Sequence, residues 1–162
     1  MKLFRVVAIA SAIIVGLTLV AVAGANLTSV NDPADDQASG GKQNDLINGT
    51  AGHAGRKLVH TASFDVNKSN DPPELLIRSR GKRYVVREFQ DAAQVIRVRT
   101  GKVTGFARLV LADDNTWRFD FRRRAIGRPK LGYGWALLVP GQGDQPDPDR
   151  LPDTGLIRHN LG

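Results

Sequence analysis

The chain has 162 residues, 41% of them hydrophobic, which is enough for one folded domain and too few for two of ordinary size. It contains no cysteine, which excludes a disulfide framework and any thiolate metal site. Its formal net charge of +7 at pH 7 favours contact with polyanions.

The N-terminal 25 residues predict an export signal. Lys2 and Arg5 precede the uncharged segment 6–25, which ends in small residues that suit cleavage after Ala23 or Ala25. We expect a signal peptide that is removed. The alternative is a retained anchor helix, because this segment is long enough to cross a bilayer core of about 30 Å.

In either case the remainder of the chain is expected to be exported, either secreted or extracytoplasmic and N-terminally anchored. Nucleic acid is therefore not an expected partner. Membrane contact through the chain itself is expected only if residues 6–25 remain uncleaved.

Two polar segments flank the region that can form a core. Residues 26–56 are rich in Asn, Asp, Gly and Ser and predict a flexible spacer, while residues 141–162 are rich in Pro, Asp and Gly and predict a solvated tail. The folded domain is therefore expected at residues 57–140.

Apolar residues in that region recur with a period of two, and turn signals separate them at short intervals. This pattern predicts an all-β fold, namely a single antiparallel β-sandwich of about seven strands, with an Ig-like arrangement favoured and a jelly roll second. The predicted strands are Lys57 to Val66, Glu74 to Arg80, Arg83 to Phe89, Gln94 to Thr100, Val103 to Ala112, Thr116 to Arg122 and Gly132 to Val139.

The hairpin around Gly101 predicts a register for two of these strands. Gly101 at the first position of a two-residue loop suits a type II′ turn. That loop places Ile96 opposite Ala107 on the apolar face and Arg97 opposite Phe106 on the outer face.

The next hairpin fits a three-residue loop of Asp113, Asp114 and Asn115, since Asn tolerates the left-handed conformation. The resulting pairs keep one face apolar. They are Ala107 with Phe121, Arg108 with Asp120, Leu109 with Phe119, and Leu111 with Trp117.

Aromatic residues on the last strands predict the core, in which Tyr133 and Trp135 join the aromatics of residues 117–121. Gly132 and Gly134 face the other side of the last strand. Their small size predicts a close neighbour there, such as a spacer segment.

The outer face of the middle sheet is the candidate binding surface. Guanidinium groups bind phosphate or carboxylate in a bidentate manner, and an exposed aromatic ring can stack on a sugar or a base. The candidate anion-binding residues are Arg97, Arg99, Phe106, Arg118, Arg122, Arg123, Arg124, Arg128 and Lys130.

A purely structural interpretation of this face remains open. Arg97 and Arg122 could stack on Phe106 while Arg108 pairs with Asp120, so that the face satisfies itself. The cations around Arg122 would still need an anionic neighbour, which the tail could provide through Asp144, Asp147 and Asp149.

Catalysis and metal binding have little support in the sequence. His53, His60 and His159 are widely separated, and no motif for a nucleophile or a phosphate loop is present. We therefore predict no catalytic residue, no metal and no cofactor.

The sequence thus predicts an exported, non-enzymatic accessory or surface-binding module of the cell envelope. Its expected partner is an anionic envelope polymer or lipid surface. A structural or protein-interaction domain on a stalk is the first alternative, with a protein as the partner, and an enzyme whose site is assembled from separate strands is the second.

Residues 151–155 read LPDTG and resemble the pentapeptide that sortases recognise on Gram-positive surface proteins. In those substrates a hydrophobic segment follows the motif, whereas here the seven residues LIRHNLG follow it. Sortase anchoring is therefore not expected, and the motif is interpreted as part of the acidic tail.

Overall fold

The computed structural model describes residues 26–32, 45–65, 72–90, 92–140 and 148–162. The predicted signal or anchor segment 6–25, with cleavage at Ala23 or Ala25, lies outside these ranges. Among the described residues, no helix has the length and apolar character needed to cross a bilayer.

Strands dominate the described ranges, and two 3-10 turns accompany them, at Val98–Thr100 and Arg123–Ile126. The strands are β1 (Thr28–Asn31), β2 (Leu46–Ala54), β3 (Lys57–Phe64), β4 (Glu74–Ser79), β5 (Lys82–Phe89), β6 (Ala92–Arg97), β7 (Lys102–Asp113), β8 (Thr116–Arg122), β9 (Gly132–Val139), β10 (Asp149–Leu151) and β11 (Ile157–Asn160).

These strands form one antiparallel sheet in the order β1-β2-β3-β8-β7-β6-β5-β4-β9, and both β10 and β11 pair with the outer edge of β9. The sheet curls until its two edges meet. The Asp149 carboxylate of β10 accepts the Leu46 N–H of β2 at 2.6 Å, and Thr28 Oγ1 of β1 is hydrogen-bonded to His159 Nδ1 of β11 at 3.0 Å.

The result is a nearly closed barrel. The prediction of an all-β fold is therefore confirmed. The Ig-like or jelly-roll sandwich is not confirmed, because the described strands belong to one continuous sheet rather than to two facing sheets.

The core fills the barrel interior, where alternate residues of each strand point inward. Phe119, Phe121, Tyr133 and Trp135 are buried there, and Trp117 is partly buried against them. The aromatic core predicted from the sequence is confirmed, although it lies inside one barrel.

Each of the seven predicted strands is present, and those of β8 and β9 have the predicted bounds. The end predicted for β3 at Val66 lies outside the described residues. The β7–β8 register is also confirmed: Ala107, Arg108, Leu109 and Leu111 face Phe121, Asp120, Phe119 and Trp117. A shift after Leu111 brings Asp113 opposite Thr116, which shortens the loop to two residues.

The register predicted for the β6–β7 hairpin is wrong. Arg97 faces Lys102, and Gln94 faces Phe106. The predicted two-residue loop assigned Val98–Thr100 to the strand, whereas these three residues form a 3-10 turn. A register shift between Val95 and Ile96 keeps Val95 inside the barrel.

The segments expected as spacer and tail contain four strands, β1, β2, β10 and β11. Gly49 and Ala51, two buried inward positions of β2, are small, which removes the apolar alternation on which the strand prediction depends. A Cβ on Gly49 would lie 2.9 Å from Leu137 Cδ1 and 3.2 Å from both Trp135 and Leu151. Large side chains of β9 and β10 therefore fill the space that a larger residue at position 49 would need.

The LPDTG segment is part of the barrel rather than of a solvated tail. Leu151 pairs with Leu137 and is 1% exposed. The Arg150 guanidinium donates to the carbonyls of Pro152 and Gly155, and these hydrogen bonds stabilise the segment after β10. An enzyme that bound this pentapeptide in an extended form would have to pull Leu151 out of the core.

The position of Leu151 predicts a large effect of truncation. Leu151→Ala should lower the free energy of unfolding by about 2–5 kcal/mol, because it removes a buried leucine and leaves a cavity. Urea unfolding followed by tryptophan fluorescence measures the change. The control Leu131→Ala, at a side chain 75% exposed, should change stability by less than about 0.5 kcal/mol. Equal effects of the two variants would contradict the burial of β10.

Candidate anion-binding cleft

Charge is separated between the two ends of the barrel. The strand ends and turns at one end, here called the basic end, contain fourteen Lys and Arg residues and no Asp or Glu. They are residues 26–28, 54–57, 79–83, 97–102, 122–132 and 157–162.

The opposite end has the reverse composition. Eight acidic residues lie at or next to its described strand ends, where Arg87, paired with Glu74, and Arg150 are the adjacent cations; the acidic residues are Asp32, Asp45, Asp65, Glu74, Glu88, Asp113, Asp114 and Asp149. Asp149 therefore lies far from the arginines that it was expected to neutralise, and its carboxylate binds the Leu46 N–H instead. Asp144 and Asp147 lie outside the described residues.

Residues 122–130, here called the arginine crossover, lie at the basic end. They lead from β8 to β9, two strands that are not neighbours in the sheet, so this connection has to cross the barrel end. Ala125 and Ile126 are buried in the core cluster, whereas Arg122, Arg124 and Arg128 are exposed. The crossover thus closes the barrel with its apolar residues and presents its cations outward.

Four contacts hold the crossover backbone in place. The Arg123 N–H donates to the Arg56 carbonyl at 2.8 Å, and the Thr104 hydroxyl donates to the Ala125 carbonyl at 2.7 Å. Arg80 donates to the Gly127 carbonyl at 3.2 Å.

The fourth contact is steric. A Cβ on Gly105 would lie 2.7 Å from the Ala125 Cβ, so only glycine lets the crossover approach β7 this closely. The arginines therefore project from a fixed backbone.

A surface cleft of about 860 Å³ opens between this crossover, the β2–β3 turn and strands β7 and β8. Seven cations and one carboxylate line it. Its lining is Ala54, Arg56, Lys57, Phe106, Arg108, Asp120, Phe121, Arg122, Arg123, Arg124 and Arg128.

Asp120 is already neutralised by other cations. Its carboxylate accepts Lys57 Nζ at 2.9 Å and Arg118 Nε at 3.0 Å. The predicted partner Arg108 stands opposite it in the register, but Asp120 forms its ion pairs with the other two residues. Ion pairs between described residues involve Lys57, Arg87 and Arg118, so the six arginines of the cleft have no carboxylate partner among them.

The cleft assembles some of the predicted site residues. Phe106, which is 66% exposed, lines it together with Arg122, Arg123, Arg124 and Arg128. Arg97, Arg99, Arg118 and Lys130 do not line it.

The sequence does not indicate Arg56 and Lys57 as site residues, because the composition of residues 26–56 predicts a spacer. Arg56 lies in the β2–β3 turn, and Lys57 is the first residue of the predicted strand β3. Arg108 was missed because the sequence paired it with Asp120.

A second group of functional side chains, the histidine–tyrosine cluster of His53, His60, Tyr133 and His159, lies inside the barrel. His53 Nδ1 and His159 Nε2 are 3.1 Å apart, and Thr28 is bonded to the other nitrogen of His159. His60 Nε2 is 2.8 Å from the Tyr133 hydroxyl, and the Tyr133 ring contacts the His159 ring at a centroid distance of 5.4 Å. Barrel closure thus unites three histidines that are dispersed in the sequence.

Burial keeps His60, Tyr133 and His159 uncharged. It lowers the pKa of His60 to about 3, with a further contribution from His159 and an opposing one from the Thr50 backbone. Burial and the neighbouring His53 lower the pKa of His159 to about 4, and burial raises the pKa of Tyr133. His60 is fully buried and does not line the cleft.

Among the described residues, no group of three or more His, Cys, Asp or Glu side chains is arranged to hold a metal ion. Separately, the cleft brings seven cations together around one carboxylate, and guanidinium groups have the geometry to bind phosphate or carboxylate oxygens.

Comparisons with protein-family models, curated proteins and solved structures find no match.

The contact between Gly105 and Ala125 predicts coupling between β7 and the arginine crossover. Gly105→Ala should destabilise the fold by about 1–3 kcal/mol, because its new methyl group overlaps Ala125. The double variant with Ala125→Gly should recover part of the loss, giving a coupling energy above about 0.5 kcal/mol in a double-mutant cycle. Additive effects would mean that the crossover does not rest on β7.

The histidine pKa values predict acid sensitivity. His60 has a lower pKa folded than unfolded, so its full contribution to stability is present above pH 6.5 and is lost as the pH falls toward 3. The loss approaches about 1.4 kcal/mol per pH unit. Unfolding free energies at a series of pH values should show a smaller slope in His60→Gln than in the unchanged chain, and equal slopes would contradict the assignment.

Proposed function

We propose that this protein is an exported, non-enzymatic module that binds an anionic polymer or surface of the cell envelope through the basic cleft. The observation that carries the proposal is the set of six arginines that line one cleft without a carboxylate partner among the described residues. Cations crowded in this way repel one another, and a bound anion would relieve that repulsion.

The side chains present suit such a ligand. Each guanidinium offers a planar fork of donors that matches the oxygens of a phosphate or carboxylate. Phe106 adds an exposed ring at the cleft wall, on which a sugar or another flat group could stack.

The anchoring of the crossover supports affinity. The Arg123 N–H is bonded to the Arg56 carbonyl of the β2–β3 turn, and the Ala125 carbonyl accepts the Thr104 hydroxyl of β7. Binding would therefore cost the crossover less conformational entropy than it would cost a mobile loop.

The charge separation supports fast and selective capture. Fourteen cations without an acidic residue at one end create a positive field that attracts polyanions over roughly a Debye length of 8–10 Å. Such attraction weakens with added salt, so the proposed binding should be strongly salt-dependent.

The position of the chain entry relates the cleft to the predicted anchor. The predicted signal or anchor at residues 6–25 precedes β1, and β1 starts at the basic end next to β11. If the anchor is retained, the cleft would face the membrane side of the envelope, where anionic lipids and their attached polymers are found.

Substitution of Arg124 tests the cleft directly. Arg124→Gln should weaken binding of polyphosphate about tenfold at low salt, because it removes one charge-assisted contact. Isothermal titration calorimetry at two salt concentrations measures the affinity.

The matched control is Arg87→Gln. Arg87 is a half-exposed cation that lies outside the cleft, so this variant loses the same charge and should bind nearly as well as the unchanged protein. Equal losses of affinity in the two variants would show that binding depends only on net charge, and they would reject the cleft as the binding site. Absence of any binding at low salt would reject the function.

A further inference from the structure

A second basic cleft of about 340 Å³ lies at the same end of the barrel, on the outer face of β4, β9 and β11. Three arginines surround it, and its floor contains two glycines of β9. The lining residues are Arg78, Arg80, Gly81, Gly132, Tyr133, Gly134, Leu156 and Arg158.

The two glycines let Leu156 and β11 pack closely against β9 at this second cleft. A Cβ on Gly134 would press on the Leu156 side chain at 3.2 Å, and a Cβ on Gly132 would collide with the His159 carbonyl. The sequence predicted a close neighbour for these glycines, and Leu156 takes that place over Gly134. Arg78 pairs with Gly134 across the strands, so its long side chain stands beside a residue that has none.

A direct contact joins the two clefts. Arg80 lines the second cleft and donates to the Gly127 carbonyl at 3.2 Å. The next residue, Arg128, lines the first cleft. The arginine crossover therefore extends from one cleft to the other across the barrel end.

We infer that the two clefts and the arginine crossover form one track for a linear, phosphate-bearing polymer, which occupies both clefts at once. This inference rests on the proposed function and specifies its ligand. A single phosphate needs about two guanidinium groups, and the nine arginines of the two clefts exceed that requirement several-fold.

The shape of the surface favours a chain over a bilayer. A flat lipid surface contacts protruding side chains, whereas both arginine groups line concave clefts that a thin chain can enter. Occupation of both clefts by one chain makes the second binding event intramolecular, which raises the affinity without any new type of contact.

The test compares short and long chains of one chemistry. Tripolyphosphate should fill one cleft, and a long-chain polyphosphate should bind at least tenfold more tightly per phosphate and lose affinity more steeply with salt. Titration calorimetry on the folded protein measures both ligands.

Variants in the second cleft separate the track from the first site. Arg78→Gln with Arg158→Gln should reduce the affinity for the long chain about tenfold or more and leave tripolyphosphate binding at the first cleft nearly unchanged. Arg83→Gln with Arg87→Gln is the matched control, since it removes two exposed cations that line neither cleft. Circular dichroism melting curves establish that each variant is folded.

Each result has a distinct meaning. If neither ligand binds the unchanged protein, the proposed function fails. If tripolyphosphate binds in an Arg124-dependent manner but the long chain binds no more tightly per phosphate, the function stands and the track is rejected. Tighter binding to vesicles of anionic lipid than to polyphosphate, with loss of that binding in Leu131→Asp, would also overturn the track in favour of a membrane contact.

Discussion

The closure of the sheet between its two edges is the constraint on which the other features depend. Thr28 of β1 and Asp149 of β10 form hydrogen bonds with His159 and with the Leu46 N–H, across a seam that has no continuous strand ladder. Side chains therefore complete the barrel where backbone pairing stops. Because Leu46 and His159 are buried, these polar contacts also satisfy groups that could not reach water.

Closure determines where the charges lie. Once the strands form a barrel, alternate connections of an antiparallel sheet fall at opposite ends, and the sequence places cations in one set and carboxylates in the other. The crossover from β8 to β9 must then span the basic end, with Ile126 inside and Arg124 outside. The cleft is thus a consequence of how the barrel end is closed, and its cations are fixed by the same packing that seals the core.

The barrel interior contains neutral polar side chains, whereas the basic end presents charged ones. Inside, His60 and Tyr133 are bonded to each other and kept neutral by burial, so they contribute to a unique packing arrangement. Outside, the arginines keep their charge and remain accessible. Acid would act on the first group by protonating the buried His60 ring, whereas salt would act on the second by screening exposed cations.

The sequence by itself determined the all-β class, seven strands and the β7–β8 register, because residues 116–122 alternate strictly and Asn115 marks a turn. It did not reveal β2, where Gly49 is small because Trp135 fills the space opposite, nor the meeting of His53 with His159. Local alternation reports a strand only when its inward residues are large, and contacts between the chain ends have no local signal. Only the closed tertiary structure decided which arginines share a cleft.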